Sequence, residues 1–188
     1  MKPQDIRTVD ELVALVESGA RPKYVFFWGH TPKVPGRTDQ SCLSNWFPAK
    51  FTVDGVAYPT TEHYMMAEKA RLFGDTSICA QILTANSPGA AKSLGRKVSG
   101  FDEMLWRESR MEIVIAGNEA KFAQNEGMGE LLRGTGSKVL VEASPRDRIW
   151  GIGMGKDNEH AQNPAHWKGL NLLGFAIMEV RERLNRQS

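Results

Sequence analysis

The N-terminal part of the chain combines one helical and one extended apolar pattern. Thr8-Val9-Asp10-Glu11 has the sequence of a helix capping box, and the apolar residues after it recur at helical spacing until Gly19. After Arg21-Pro22, the apolar run 24–28 predicts a buried strand. The polar stretch from Gly29 to Gln40 predicts a long loop, and loops of this length often carry function.

A hairpin and a series of helices are predicted in the middle of the chain. Alternating residues on both sides of Asp54-Gly55 indicate a β-hairpin. Thr60 or Thr61 can cap a helix that runs from about Glu62 to Phe73. Three further helices are predicted to begin, in chain order, at Asp75, at Ser87-Pro88 and at Asp102, the last of them running to about Gln124.

The C-terminal part adds little extended structure. We predict a short helix over 129–133, a short strand over 138–141 and an amphipathic helix over 170–184. Strands and helices do not alternate as they do in a doubly wound sheet. The expected fold class is therefore mainly α, a single α-rich domain with a small β-hairpin or sheet element. The domain spans 1–188, with a peripheral N-terminal helix over 5–19.

Composition narrows the class of protein. A length of 188 residues with 41% hydrophobic and 24% charged residues is typical of one globular domain. The net charge of +2 disfavours a protein that binds DNA through a large basic surface. Cys42 and Cys79 fit buried thiols outside any disulfide, and no apolar run approaches the ~20 residues of a membrane span. We expect a cytoplasmic protein.

Two charged residues of the helix predicted after Thr60 lie on one face. Glu62 and Lys69 are seven residues apart, so they project within about 20° of each other. A carboxylate in the first helical turn is kept ionised by the helix dipole, which suits catalysis but is also common for stability alone. Four histidines without a His-Glu-x-x-His spacing give no support for a metal, and no cofactor is predicted.

A second polar cluster falls in the glycine-containing segment 144–153. Its glycines allow close approach to a ligand, its tryptophan offers a flat face to a base, and its arginines can pair with phosphate. A tight turn with a half-buried tryptophan explains the same residues. The segment alone leaves both interpretations open.

Several short segments follow one another in a characteristic order along the chain. They are Ser44-Asn45-Trp46-Phe47, 61–70, Ala91-Lys92-Ser93-Leu94-Gly95-Arg96, Trp106, Ala120-Lys121-Phe122, Leu131-Leu132, 140–144, Asp147, Trp150-Gly151 and Asn171-Leu172-Leu173-Gly174. In this order, the segments resemble the NADAR superfamily over roughly residues 24–183. The resemblance implies an α-rich fold and an N-glycosidase that cuts a ribose C1–N bond. Its substrate would be a ribosylamino-pyrimidine phosphate of early riboflavin biosynthesis or ADP-ribosylated guanine in DNA.

The resemblance also implies roles for single residues. Glu62 and Asp147 would be the catalytic carboxylates, with Trp106 and Trp150 in the same pocket. The expected substrate-binding residues are Asn45, Lys69, Arg96, Trp106, Trp150 and Gly151. A longer stretch at 30–40 leaves the choice of substrate open. The alternative is a non-catalytic module that binds ADP-ribose or another nucleotide.

Overall fold

The computed structural model describes residues 2–186, and this part of the chain is mainly helical. Its α-helices are α1 (Val9–Glu17), α2 (Thr61–Leu72), α3 (Thr76–Leu83), α4 (Pro88–Gly95), α5 (Glu103–Gln124), α6 (Glu126–Gly134) and α7 (Leu172–Arg186). Its strands are β1 (Tyr24–Phe27), β2 (Phe51–Val53), β3 (Val56–Tyr58) and β4 (Val139–Glu142). Short 3-10 helices cover Pro3–Asp5, Gln40–Leu43 and Pro164–His166. The predicted fold class is confirmed.

The chain forms two compact units. The central unit is Asn45–Glu126, which holds β2, β3 and α2 to α5. The terminal unit consists of the chain before Asn45 and after Glu126. The single domain expected from the length of the chain stays a prediction.

Helix α2 is the most buried element of the central unit and packs against α3, α4 and α5. All residues from Thr61 to Ala67 are buried. Two glycines on neighbouring helices allow the close approach, because a Cβ on Gly95 would overlap Met66 and one on Gly117 would overlap the ring of Tyr64. Burial on several sides explains why α2 lacks a clear amphipathic pattern.

The start of α2 is held by a short hydrogen-bond chain. Thr60 is the N-cap, and its Oγ1 accepts the His63 amide at 3.3 Å. The His63 ring joins Thr60 Oγ1 through Nδ1 at 2.8 Å and the Ala85 carbonyl through Nε2 at 3.1 Å. Because a carbonyl only accepts, Nε2 carries the proton, and neutral His63 has a structural role.

The terminal unit is built on a parallel pair of strands. β1 pairs with β4 in a register that runs from Tyr24↔Val139 to Phe27↔Glu142. The side chain of Asn171 covers the other edge of β4, where Oδ1 accepts the Glu142 amide and Nδ2 donates to the Leu140 carbonyl, both at 2.9 Å. Asn171 has φ +52°, a conformation that asparagine tolerates better than most residues. It therefore acts as a substitute for a third strand.

Helix α7 supplies most of the core beside β4. The buried apolar side chains of α7 are Leu173, Phe175, Ala176, Ile177, Met178, Val180 and Leu184. Helix α1 buries Leu12 and Leu15, and the capping box between Thr8 and Glu11 forms as predicted. Arg7, just before α1, donates to Glu179 of α7 at 2.5 and 3.1 Å, which fixes the N-terminal segment.

Replacing His63 with glutamine should change how stability depends on pH. Burial lowers the pKa of His63, so the stability it contributes is present above its ordinary pKa of about 6.5 and is lost as the pH falls through the folded-state value. At pH 7 we expect His63→Gln to lower the free energy of unfolding by about 1–2 kcal/mol. Urea unfolding at pH 7 and pH 5 should show this gap narrowing at the lower pH.

The exposed His166 provides the control for this experiment. His166→Gln should leave the difference between the two pH values as it is in the wild type. A constant gap between wild type and His63→Gln at both pH values would contradict the structural role of the neutral ring.

Candidate active site

Glu62 is the second residue of α2, as its position after the cap predicts. Its side chain is only 2% exposed. Its backbone amide donates to the carbonyl of Asn45 at 3.0 Å, which joins the start of α2 to the segment before β2. The positive end of the helix dipole at this position favours an ionised carboxylate.

Asn45 is held in one orientation by a residue of α5. Its Oδ1 accepts from Asn118 Nδ2 at 3.1 Å, and Nδ2 of Asn118 also donates to the Val114 carbonyl at 2.9 Å. The Asn45 amide nitrogen donates to none of the described residues. Asn45 therefore binds the start of α2 through its backbone carbonyl and keeps a fixed side-chain donor available at the same position.

Two buried side-chain oxygens, one on the residue before Glu62 and one on the α5 residue that binds Asn45, have no hydrogen-bond partner in the described part of the chain. They are Oγ1 of Thr61 and Oδ1 of Asn118, and both residues are fully buried. Buried polar atoms are nearly always hydrogen-bonded in folded proteins, so such atoms are often found where a ligand or water binds. Asn45, Thr61, Glu62 and Asn118 form one polar cluster, here called the Glu62 cluster.

Sequence reasoning missed two members of the Glu62 cluster. Thr61 was expected only as a possible cap of α2. Asn118 received no role, although it is a polar residue between the apolar positions Val114, Ile115 and Phe122 of a long helix. That placement is the signal that could have identified it.

The ammonium group of Lys69 lies close to three other residues of the central unit. Its Nζ donates to the Gly95 carbonyl at 2.8 Å and lies 4.2 Å from the ring centroid of Phe101 and 5.6 Å from that of Trp106. Burial lowers the pKa of Lys69. Arg96 follows Gly95 directly as the C-cap of α4 and is exposed. The fold thus brings the predicted residues Lys69 and Trp106 into contact and places Arg96 beside the Lys69 partner.

Asp147 organises a loop of the terminal unit. Its Oδ1 accepts the backbone amides of Ile149 at 2.9 Å and Trp150 at 2.8 Å, and its own amide donates to Ser144 Oγ at 3.2 Å. Trp150 is half-buried. One carboxylate oxygen of Asp147 therefore shapes the loop, and its predicted catalytic role stays a prediction.

Gly151 has a packing reason to be glycine. It is buried, and a Cβ at this position would lie 2.8 Å from the Glu142 carbonyl oxygen. The same carbonyl accepts the Ile152 amide at 2.9 Å, so the loop runs close against β4. A substrate-binding role for Gly151 stays a prediction beside this structural one.

Residues 2–186 include no helix long and apolar enough to cross a membrane. In the same residues, the side chains of His, Cys, Asp and Glu form no group of three or more that could hold a metal ion. Cys42 and Cys79 are buried thiols outside any disulfide, as their number and spacing predict.

The family model described as the NADAR domain matches residues 26–185. The chain belongs to the NADAR family. N-glycosidase R617 of Acanthamoeba polyphaga mimivirus is 39% identical over 165 residues, which cover 85% of this NADAR chain and 95% of that relative. N-glycosidase YbiA of Escherichia coli (strain K12) is 33% identical over 146 residues, with coverages of 78% and 82%.

A solved structure agrees with the sequence comparisons. The NMR structure of the E. coli protein YbiA superimposes with a TM-score of 0.71 at 29% identity, covering 89% of this NADAR chain and 88% of that one. Together, the comparisons confirm the predicted family, the fold class and the class of enzyme, an N-glycosidase.

Two substitutions of Asp147 should separate its role as an acceptor from its charge. Asn keeps an Oδ1 that can accept the amides of Ile149 and Trp150, so Asp147→Asn should preserve the loop. Asp147→Ala removes the acceptor for both amides and should lower stability by about 1–2 kcal/mol. The indole signal of Trp150 in ¹H–¹⁵N NMR spectra should shift in the alanine variant and stay in place in the asparagine variant.

Asp157, in an exposed part of the terminal unit, gives the matched control. Asp157→Ala should leave the Trp150 signal and the free energy of unfolding unchanged. An unmoved Trp150 signal in Asp147→Ala would show that the loop does not depend on this carboxylate.

Proposed function

We propose that this NADAR chain hydrolyses the ribose C1–N bond of a phosphorylated N-riboside, with Glu62 as the catalytic carboxylate. The observation that carries the proposal is the placement of Glu62, which is buried at the start of α2 after Thr61 and bound through its amide to Asn45, the hydrogen-bond partner of Asn118. Its relatives R617 and YbiA are named N-glycosidases, which supports the same reaction class.

The chemistry needs a negative group near C1 of the ribose. As the C1–N bond breaks, positive charge develops on the sugar, and a carboxylate stabilises this oxocarbenium-like state. The carboxylate of Glu62 also accepts a proton from water as the water oxygen bonds to C1. The base leaves with the electrons of the C1–N bond and takes up a proton, while C1 keeps the hydroxyl from water, so the products are the phosphorylated ribose and the free base.

The Glu62 cluster offers both kinds of partner that ribose hydroxyls require. The amide nitrogen of Asn45 is a donor, whereas Thr61 Oγ1 and Asn118 Oδ1 can accept. Hydroxyl groups of a bound ribose donate and accept at once, so they suit such a mixed set. We assign sugar binding to Asn45, with Thr61 and Asn118 beside it.

Phosphate binding is assigned to Lys69 and Arg96. Lys69 is held by the Gly95 carbonyl, and Arg96 follows that residue with an exposed guanidinium suited to bidentate contact with phosphate. Trp106, in contact with the Lys69 ammonium, offers a flat face for the base. These three residues belong to one unit, which favours a common role in substrate binding.

Roles in the terminal unit are assigned by family resemblance. Asp147 is proposed as the second catalytic carboxylate, which positions ribose hydroxyls or assists proton transfer. Trp150 is proposed to stack on the base, and Gly151 to allow close approach of the backbone. The hydrogen bond from the Trp150 backbone amide to Asp147 fixes the backbone that carries this ring, which is consistent with the assignment.

The substrate is proposed from two classes with the same reactive bond. A ribosylamino-pyrimidine phosphate is the first choice, because a net charge of +2 supplies little general attraction to a polyanion. ADP-ribosylated guanine of DNA, recognised through its ADP-ribosyl group, is the second. We also propose a cytoplasmic location, which the buried thiols of Cys42 and Cys79 support.

Glu62→Gln should abolish turnover and preserve the fold. Glutamine keeps the size of the side chain but removes its charge and basicity, so we expect a loss of at least about 10²-fold. The enzyme is incubated with a ribosylamino-pyrimidine phosphate or with DNA that carries ADP-ribosyl guanine. Mass spectrometry then follows release of the sugar phosphate or ADP-ribose.

Glu103 is the matched control, since it is also an acidic residue in the first turn of a helix but is exposed. Glu103→Gln should leave turnover unchanged. Equal activity in wild type and Glu62→Gln would overturn the assignment of Glu62. Nucleotide binding without release by the wild type would favour the non-catalytic binding module.

Substitutions of Lys69 should change how KM depends on pH, because the charge of this lysine is lost as the pH rises. Burial lowers the pKa of Lys69, so its positive charge is present below that value and is lost as the pH rises. KM of the wild type should therefore rise between pH 7 and pH 10. Lys69→Arg should keep a low KM across this range, and Lys69→Gln should raise KM about tenfold at pH 7.

The exposed Lys97 serves as the control, and Lys97→Gln should leave KM unchanged. If Lys69→Gln leaves KM unchanged, or lowers only kcat, phosphate binding by Lys69 is excluded.

A further inference from the structure

A cavity of about 840 Å³ lies within the terminal unit. It is lined by β1, the 30–40 stretch, the end of α6 with the turn after it, and residues 155–157. Small-molecule sites usually measure about 300–1,000 Å³. None of the residues assigned above to catalysis or substrate binding lines this cavity, so it calls for a function of its own.

One wall of the cavity is the open edge of β1. Along this strand, Val25 and Phe27 turn their backbone groups toward β4, as shown by the bond from the Ala143 amide to the Phe27 carbonyl at 2.9 Å. Phe26 lies between them and turns its amide and carbonyl the other way. Those two groups bond to no other residue of the described chain. The wall therefore presents an adjacent donor and acceptor.

An exposed aromatic side chain stands at the end of the same strand. Trp28 lines the cavity and is 64% exposed. A large aromatic ring that remains in water beside a cavity can cover the face of a planar ligand. The donor and acceptor of Phe26 and the ring of Trp28 together suit a flat heterocycle with hydrogen-bonding edges.

Positive side chains outnumber negative ones around the cavity. Lys33, Lys138 and Lys156 line it, and their ammonium groups form no hydrogen bond with residues 2–186, although the Lys33 charge interacts with the Asp39 carboxylate. Of the two lining carboxylates, Asp39 already accepts the amides of Lys33 at 2.8 Å and Ser41 at 2.9 Å. The second carboxylate is that of Asp157. Three ammonium groups against two carboxylates favour an anion.

A buried guanidinium reinforces one wall. Nη1 of Arg181 donates to Thr135 Oγ1 and to the Lys138 carbonyl, both at 2.8 Å, and both residues line the cavity. Arg181 is fully buried, with Glu182 at 3.6 Å from its Nε. Its Nη2 has no hydrogen-bond partner in the described residues. The wall is thus held rigidly, with a positive charge directly behind it.

We propose that this cavity is a second ligand site, which binds a nucleoside phosphate. Phe26 contacts the edge of the base, Trp28 covers its face, and Lys33, Lys138 and Lys156 bind the phosphate. The 30–40 stretch supplies Lys33 and Asp39, which gives this part of the sequence a defined place in the protein. The proposal does not depend on Glu62 or on the proposed hydrolysis.

Titration of ¹⁵N-labelled full-length protein with AMP tests the site by NMR. The backbone amides of Phe26, Trp28 and Lys33 should shift, because AMP would contact or displace solvent from each of them. Adenosine should shift Phe26 and Trp28 more weakly, and inorganic phosphate should shift only residues near the lysines. Shifts confined to the amides around Lys69 and Trp106 would overturn the proposal and place AMP in the site assigned to hydrolysis.

Variants then assign the contributions of charge and stacking. Lys156→Gln and Lys138→Gln should each weaken AMP binding about tenfold, the effect of losing one charge-assisted hydrogen bond. Trp28→Leu should weaken AMP and adenosine alike but leave phosphate binding unchanged. Lys23→Gln changes an exposed lysine of the same unit that does not line the cavity, so it should have no effect.

A catalytic variant shows whether the cavity site and the proposed hydrolysis are independent of each other. Glu62→Gln should bind AMP at the cavity as the wild type does, whatever its turnover. Unchanged AMP affinity in all three cavity variants, with spectra that show a folded protein, would exclude the second site and leave the proposed hydrolysis unaffected.

Discussion

Burial of the first turn of α2 is the constraint on which the central unit depends. The turn is enclosed because Gly95 and Gly117 let α4 and α5 approach within contact of Met66 and Tyr64. Enclosure would leave the first amides of a helix without water, so Thr60 and the Asn45 carbonyl bind two of them. The same packing therefore buries Glu62 and supplies the hydrogen bonds that replace water at the first amides of α2. A carboxylate in such a place gains the full effect of the helix dipole.

In the described part of the terminal unit, the sheet has only two strands, so the backbone groups at its outer edges need other hydrogen-bond partners. One edge of β4 is covered by the side chain of Asn171, and the near approach of Gly174 to the Leu140 carbonyl allows α7 to follow directly. At the open edge of β1, no residue within 2–186 bonds to the amide or carbonyl of Phe26. Exposed strand edges are sites of added pairing, and here the edge is part of a cavity wall. The same two-stranded design therefore creates both a rigid core and a polar wall.

Local signals in the sequence predict most elements but little of their assembly. Caps at Thr8, Asp75 and Asp102 and the Asp54-Gly55 turn all form where their patterns indicate, because each depends on residues a few positions apart. The parallel pairing of β1 with β4 joins residues over a hundred positions apart and has no local signature. For the same reason Asn118 escaped notice, since its contact with Asn45 spans 73 positions.

Buried polar residues in and beside the motif differ in how completely their side chains are hydrogen-bonded within the protein. Asn171 uses its side-chain oxygen and nitrogen within the protein, and His63 uses both ring nitrogens, so packing and pairing explain them. Thr61 and Asn118 instead keep buried oxygens without a partner in the described chain, which costs stability unless something else binds them. Such a cost is tolerated where it serves binding. The start of α2 therefore carries two buried acceptors that suit a ligand, one on Thr61 within the motif and one on Asn118 outside it.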